Sequence, residues 1–88
     1  MSVTSEASTA WKGSLMGGSG TVALDTSHAG TFDVNWKARS EGSGSVTTPE
    51  ELIAAAHSSC FSMALSHALS ENGTPPESVD TTASVTFV

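Results

Sequence analysis

The sequence predicts an α+β fold with antiparallel strands near the N-terminus, one long central helix, and a further strand at the end. Three observations predict it. Apolar and polar side chains alternate in residues 21–26 and 31–37, a helix start signal precedes an apolar-rich run at residue 49, and alternation returns after residue 81. A chain of 88 residues has room for one domain, so we expect residues 1–88 to form a single domain.

The first half of the chain contains three predicted strands. Ser8–Lys12 forms the first, and Thr21–Thr26 forms the second, with Val22 and Leu24 on one face. Alternation predicts the third strand over Thr31–Lys37, with its apolar face built from Phe32, Val34 and Trp36. Glycines and serines predict a turn and a mobile loop at Leu15–Gly20 and Ser40–Ser45.

The long helix has clear signals at both ends. Thr48 is a favourable N-cap, Pro49 suits the first helical position, and Glu51 completes a Thr-x-x-Glu capping box. Asn72-Gly73, followed by two prolines, ends the helix. The sequence therefore predicts a helix over residues 49–71.

The last segment, Thr81–Val88, alternates apolar and polar side chains and predicts a strand in which the chain ends. The preceding helix is about 35 Å long. A compact domain of this chain length is only about 31 Å across. We therefore expect further strands or a second subunit to cover the helix.

Charge and cysteine content exclude several classes of function. Nine acidic residues face three basic ones, and the net charge of −6 disfavours nucleic acid and anionic membranes as partners. The N-terminus does not resemble a signal peptide, and serines and histidines interrupt the apolar-rich helix. With one cysteine there is no internal disulfide. We expect a soluble cytoplasmic protein that binds neither nucleic acid nor membrane.

Cys60 lies in the middle of the predicted helix. At about 100° per residue, six side chains fall within about 60° of it around the helix axis: Ile53, Ala56, His57, Met63, Ala64 and His67. This pattern leaves two interpretations open. Free cysteine is often buried, which favours an inert core thiol. A reactive thiolate would instead need a nearby cation, for which Arg39 is the candidate.

Metal binding is a rival use of the same helix face. His57, Cys60 and His67 are three possible ligands on it. Cys60 and His67 are about 10.5 Å apart along the helix axis, too far to share one tetrahedral ion. We therefore expect no metal and no cofactor.

The run TPEELIAAAHSSCFSMALSHALSENG, Thr48 to Gly73, closely resembles the cysteine helix of the osmotically inducible protein C and organic hydroperoxide resistance superfamily. The segments WKARSEGSG and SVDTTASV resemble the osmotically inducible protein C branch, and AWKGSLMGGSGTV resembles its N-terminal strands. The resemblance covers essentially the whole chain. It implies a thiol peroxidase that forms an intertwined homodimer.

The resemblance also implies roles for three residues. Cys60 matches the peroxidatic cysteine, Arg39 the arginine that activates it, and Glu50 the carboxylate that orients the arginine. The family's resolving cysteine, near its C-terminus, has no match here. We therefore expect residues 1–88 to lack the C-terminal strands and helix of the family, roughly its last third.

Helix geometry adds an expectation about Glu50. It lies ten residues before Cys60, about 15 Å along the axis, so it cannot serve the thiol of its own helix. Two helices packed antiparallel about a twofold axis near residue 55 would bring Glu50 of one level with Cys60 of the other. The small residues Ala54–Ala56 would allow close approach at that crossing.

The function implied by the resemblance is reduction of organic hydroperoxides, and more weakly of hydrogen peroxide, in oxidative or osmotic stress defence. Candidates for an apolar substrate wall are Phe61, Met63 and Trp36. The expected partners are the hydroperoxide, a thiol reductant of dithiol or lipoyl type, and a second copy of the chain. The alternative is an inactive or single-turnover fragment acting as a structural, redox-sensing or metal-binding module.

Overall fold

A computed structural model describes all residues from Met1 to Val88 and divides into two compact units, Met1–Pro49 and Glu50–Val88. The first contains the strands β1 (Ser8–Lys12), β2 (Ser19–Ala23) and β3 (Thr31–Val34) and the short helix α1 (Trp36–Glu41). The long helix α2 (Pro49–Glu71) begins at the boundary and belongs to the second. The α+β class, with antiparallel strands followed by a long helix, is confirmed.

The three strands form an antiparallel meander in the order β1-β2-β3. Trp11 pairs with Gly20, and Gly20 pairs with Val34, so these residues form one row across the same face. A Cβ atom at Gly20 would lie 2.7 Å from Trp11 Cε3 and 3.2 Å from Val34 Cγ2. Glycine is therefore needed here because the indole ring and the valine occupy the space of a side chain.

The predicted strand boundaries are right for β1 and shifted for β2. The structure begins β2 at Ser19 and ends it at Ala23, so the expected turn at Leu15–Gly20 is shorter than predicted. Gly13 has φ +94°. The indole N–H of Trp11 donates to Gly13 O at 3.1 Å, and Gly18 N donates to Ser14 O at 2.8 Å. The turn therefore ends at Gly18, and Ser19 pairs with Lys12 of β1.

The third predicted strand is wrong beyond Val34. Asn35 is extended, with φ −154°, and its side-chain Oδ1 accepts a hydrogen bond from Ala38 N at 2.8 Å. This N-cap starts α1 at Trp36, so the chain leaves the sheet two residues after the last pairing. The strand prediction failed because the alternation of apolar and polar residues continues past Asn35, although Asn35 is the N-cap at which α1 begins. Ala38, on the inner side of the new helix, is only 2% exposed.

The loop predicted at Ser40–Ser45 begins two residues later and extends further, to residue 48. Ser40 and Glu41 belong to α1, and the Ser40 hydroxyl donates to Trp36 O at 2.8 Å. The helix ends at Gly42, whose φ of +89° suits glycine, and Gly42 N donates to Ala38 O at 3.0 Å. The irregular connection therefore runs from residue 42 to residue 48.

Helix α2 has the bounds that the sequence predicts, Pro49–Glu71. Its C-terminus is a Schellman motif. Thr74 N donates to Leu69 O at 2.9 Å, and Gly73 N donates to Ser70 O at 3.0 Å. Gly73 has φ +80°, the left-handed conformation that this motif needs. The predicted capping box at the other end of α2 stays a prediction.

The strand predicted over Thr81–Val88 is absent, since no ladder of backbone hydrogen bonds includes this segment. Alternation gives a segment the propensity for a strand, but the strand exists only when a neighbour pairs with it. A side-chain bond instead ties the segment to α2, with Ser62 Oγ 2.8 Å from Thr81 Oγ1.

No residue of α2 is buried, although one side of the helix is partly covered. The half-buried residues of that side are Leu52, Ala54, Ser58, Ser62, Ser66 and Leu69. On the opposite side Ile53 is 55% exposed and Met63 is 72% exposed. The apolar stripe predicted around Cys60 is thus open in a single chain.

By length and composition alone, α2 is also apolar enough to cross a membrane. The core helix of a soluble protein meets the same criteria, so one such helix is weak evidence for a membrane span.

Candidate active site

Cys60 stands near the middle of α2, and its thiol is exposed. The interpretation as an inert core thiol requires burial, and the described chain does not bury this residue. Ile53 and Met63, two apolar members of the same helix face, are exposed beside it. The thiol is therefore open to a small molecule or to a second subunit.

The serines around Cys60 direct their hydroxyls to the helix backbone. Ser58 Oγ donates to Ala55 O at 3.1 Å, and Ser59 Oγ lies 3.0 Å from the same oxygen and 2.9 Å from Ala56 O. Ser62 Oγ donates to the carbonyl of Ser58 at 2.8 Å. Such bonds are common for serine in helices. The hydrogen atoms of these hydroxyls are therefore already donated to backbone carbonyls and are not available to donate to a substrate.

An open groove of about 350 Å³ lies along α2 on the side of His57 and Phe61, and Cys60 is not part of its lining. His57 and Phe61 form its helix side, and residues 81–85 form its other side. The rings of His57 and Phe61 have centroids 6.3 Å apart and planes tilted by 48°. Phe61 was expected in an apolar wall, whereas the contribution of residues 81–85 was not. In the sequence, the alternation of apolar and polar residues in this segment indicates that it has an apolar face, but it does not indicate which part of the protein that face contacts.

Glu50 lies in the first turn of α2, and Cys60 lies ten residues further along the same helix. At 1.5 Å per residue the two are about 15 Å apart along the axis. The structure therefore does not bring Glu50 to the thiol of its own chain, in line with the geometric expectation.

Arg39 lies in the last turn of α1, in the first compact unit, where it is half-buried. Cys60 belongs to the second unit. The roles of Arg39 and Glu50 therefore stay predictions.

No group of three histidine, cysteine or acidic side chains stands together in a way that could hold a metal ion. His57, Cys60 and His67 share a helix face, but the length of helix between them separates the outer members. The chemistry that this face offers is that of an exposed thiol with an imidazole one turn away.

Comparison with known proteins decides the family. The family model described as OsmC-like protein matches residues 42–87, a little over half of the chain. This chain belongs to the OsmC-like family. The protein named Peroxiredoxin OsmC in Escherichia coli strain K12 is 46% identical to this OsmC-like chain over 77 residues, which is 88% of the chain and 53% of the relative. The Shigella flexneri protein of the same name matches equally.

The comparisons confirm the resemblance found in the sequence. The matched family region includes Glu50 and Cys60, and it ends at residue 87, within the last predicted strand. The OsmC-like chain spans about half the length of the curated relatives it matches.

Proposed function

We propose that this OsmC-like chain carries the attacking half of a thiol-dependent peroxidase that reduces organic hydroperoxides, and hydrogen peroxide more weakly. The observation that carries the proposal is the exposed thiol of Cys60 in the matched helix of a chain 46% identical to proteins named peroxiredoxins. We place its role in oxidative or osmotic stress defence in the cytoplasm.

The proposed reaction begins with attack of the Cys60 thiolate on the distal oxygen of the peroxide. A sulfur–oxygen bond forms and the oxygen–oxygen bond breaks, giving a cysteine sulfenic acid and an alcohol, or water from hydrogen peroxide. Because negative charge passes from sulfur to the departing oxygen, a guanidinium beside both stabilises the start and the end of the step. We assign that role to Arg39, with Glu50 holding its planar fork in place.

A homodimer completes this proposal because Glu50 and Cys60 of one chain are too far apart along α2. Packing two α2 helices antiparallel near Ala55 would place Glu50 of one copy level with the thiol of the other. The exposed apolar residues Ile53 and Met63 support the need for a covering surface.

The proposed function is tested by trapping the first product. The purified chain is treated with cumene hydroperoxide and then with dimedone, which captures sulfenic acid, and the adduct is followed by intact mass spectrometry. We expect rapid labelling at Cys60, none in Cys60→Ser, and labelling slowed at least about tenfold in Arg39→Ala because the transition-state charge loses its partner. A thiol that reacts no faster than free cysteine would sink the proposal.

The alternative, a redox-sensing or structural module, is supported by the presence of a single cysteine. The structural form of this alternative predicts that Cys60 is oxidised no faster than a model thiol. Zinc retained by the chain after dialysis would instead indicate the metal-binding form of this alternative.

A further inference from the structure

His57 is the titratable side chain placed closest to Cys60 along α2. The two are three residues apart, so they lie on one helix face with Cβ atoms about 5–6 Å apart. Side chains on a helix lean toward its N-terminus, which tilts the Cys60 sulfur toward the turn that carries His57. His67, on the same face, is about 10.5 Å away along the axis.

The imidazole of His57 is also uncommitted. Its contact in the structure is with the ring of Phe61, and no hydrogen bond involves either ring nitrogen. The neighbouring hydroxyls of Ser58 and Ser59 are already bonded to backbone carbonyls. His57 is therefore the side chain beside the thiol that is able to give a proton to a bound molecule.

The order of groups around the helix matches the order of groups in an alkyl hydroperoxide. With Cys60 at zero, His57 lies at about 60° and Phe61 at about 100° around the axis. A hydroperoxide presents, in sequence, the oxygen that is attacked, the oxygen that leaves, and the organic substituent. A substrate with its distal oxygen at the sulfur and its substituent in the groove beside Phe61 brings the leaving oxygen to His57.

We propose that His57 is the proton donor to the leaving oxygen, and that the groove of His57, Phe61 and residues 81–85 receives the organic substituent. This inference rests on the proposed peroxidase function. The Cys60 thiolate takes the distal hydroxyl as its sulfur–oxygen bond forms, and the oxygen–oxygen bond breaks. The alkoxide takes a proton from the ring N–H of His57 and leaves as the alcohol. Sulfur is oxidised, the peroxide is reduced, and solvent later reprotonates His57.

The test compares two oxidants that differ in their need for a proton. The alkoxide that leaves tert-butyl hydroperoxide is strongly basic, whereas the carboxylate that leaves peracetic acid is weakly basic and departs without proton transfer. Rates of Cys60 oxidation are measured by dimedone trapping for the unmodified chain, His57→Gln and His67→Gln. We expect His57→Gln to react about 10- to 100-fold more slowly with tert-butyl hydroperoxide and within about twofold of normal with peracetic acid.

His67→Gln is the matched control, and we expect it to react normally with both oxidants. Free imidazole should restore the reaction of His57→Ala with the alkyl hydroperoxide and leave its reaction with the peracid unchanged. Equal slowing of both oxidants, or no slowing of either, overturns the proton-donor role. An unmodified chain that reacts with both oxidants no faster than free cysteine removes the proposed function itself, and this inference with it.

Discussion

At the scale of single residues, Trp11 and Val34 pack over Gly20 in one row across the three strands, and this packing contributes to the stability of the sheet. An alanine at Gly20 would place its Cβ 2.7 Å from Trp11 Cε3 and 3.0 Å from the backbone oxygen of Ala10. Backbone cannot move aside as a flexible side chain can. We expect Gly20→Ala to lower the free energy of unfolding by about 1–3 kcal/mol, as overpacking does, measured by urea denaturation followed by tryptophan fluorescence.

Gly44→Ala is the control for that change. A Cβ at Gly44 has no neighbour within 4 Å, and its φ lies outside the left-handed range. We expect its unfolding midpoint to stay the same or rise slightly, because alanine restricts the unfolded chain more than glycine does. Equal midpoints for both variants would show that the indole does not rest on Gly20.

Cys60 shows the limit of sequence reasoning at this scale. The apolar stripe around Cys60 favours burial, yet the thiol is exposed. Helix periodicity identifies which side chains share a face. It does not identify what packs against the face, which depends on the rest of the molecule.

At the scale of elements, prediction succeeds where local chemistry marks both ends. Helix α2 begins at Pro49 and ends in the Schellman motif at Gly73, and both signals can be read from neighbouring residues alone. Helix α1 was missed because apolar alternation runs through its N-cap, Asn35. The final strand is not shown in the structure, because pairing depends on a distant neighbour.

Asn35 links an element to the proposed chemistry, because its cap starts the short helix that carries Arg39. We expect Asn35→Ala to cost about 1 kcal/mol of stability, measured by thermal unfolding. We also expect it to slow dimedone labelling of Cys60, since α1 then frays and Arg39 is held less firmly. Asn35→Asp keeps the cap acceptor and should behave normally. If Asn35→Ala is destabilised but its Cys60 is labelled at the normal rate, α1 does not contribute to the reactivity of the thiol.

At the scale of the whole molecule, the single cysteine sets the expected turnover. Reduction of a sulfenic acid consumes two thiols, which become a disulfide while the cysteine is regenerated and water is released. The chain has only Cys60, so the two thiols come from outside, and a dithiol such as dihydrolipoamide supplies both in one molecule. The matched part of this chain covers 53% of each relative, so we derive its turnover from its own residues.

We therefore expect the chain without added thiol to consume about one peroxide rapidly per Cys60 and then stop, with slow further oxidation to the sulfinic acid. Dihydrolipoamide should convert this burst into steady consumption, because it reduces the sulfenic acid before a second peroxide reacts. Peroxide loss and intact mass are followed together, with Cys60→Ser as the blank. Steady consumption without any thiol would contradict this prediction, as would a failure of the dithiol to sustain turnover while the sulfenic acid is demonstrably present.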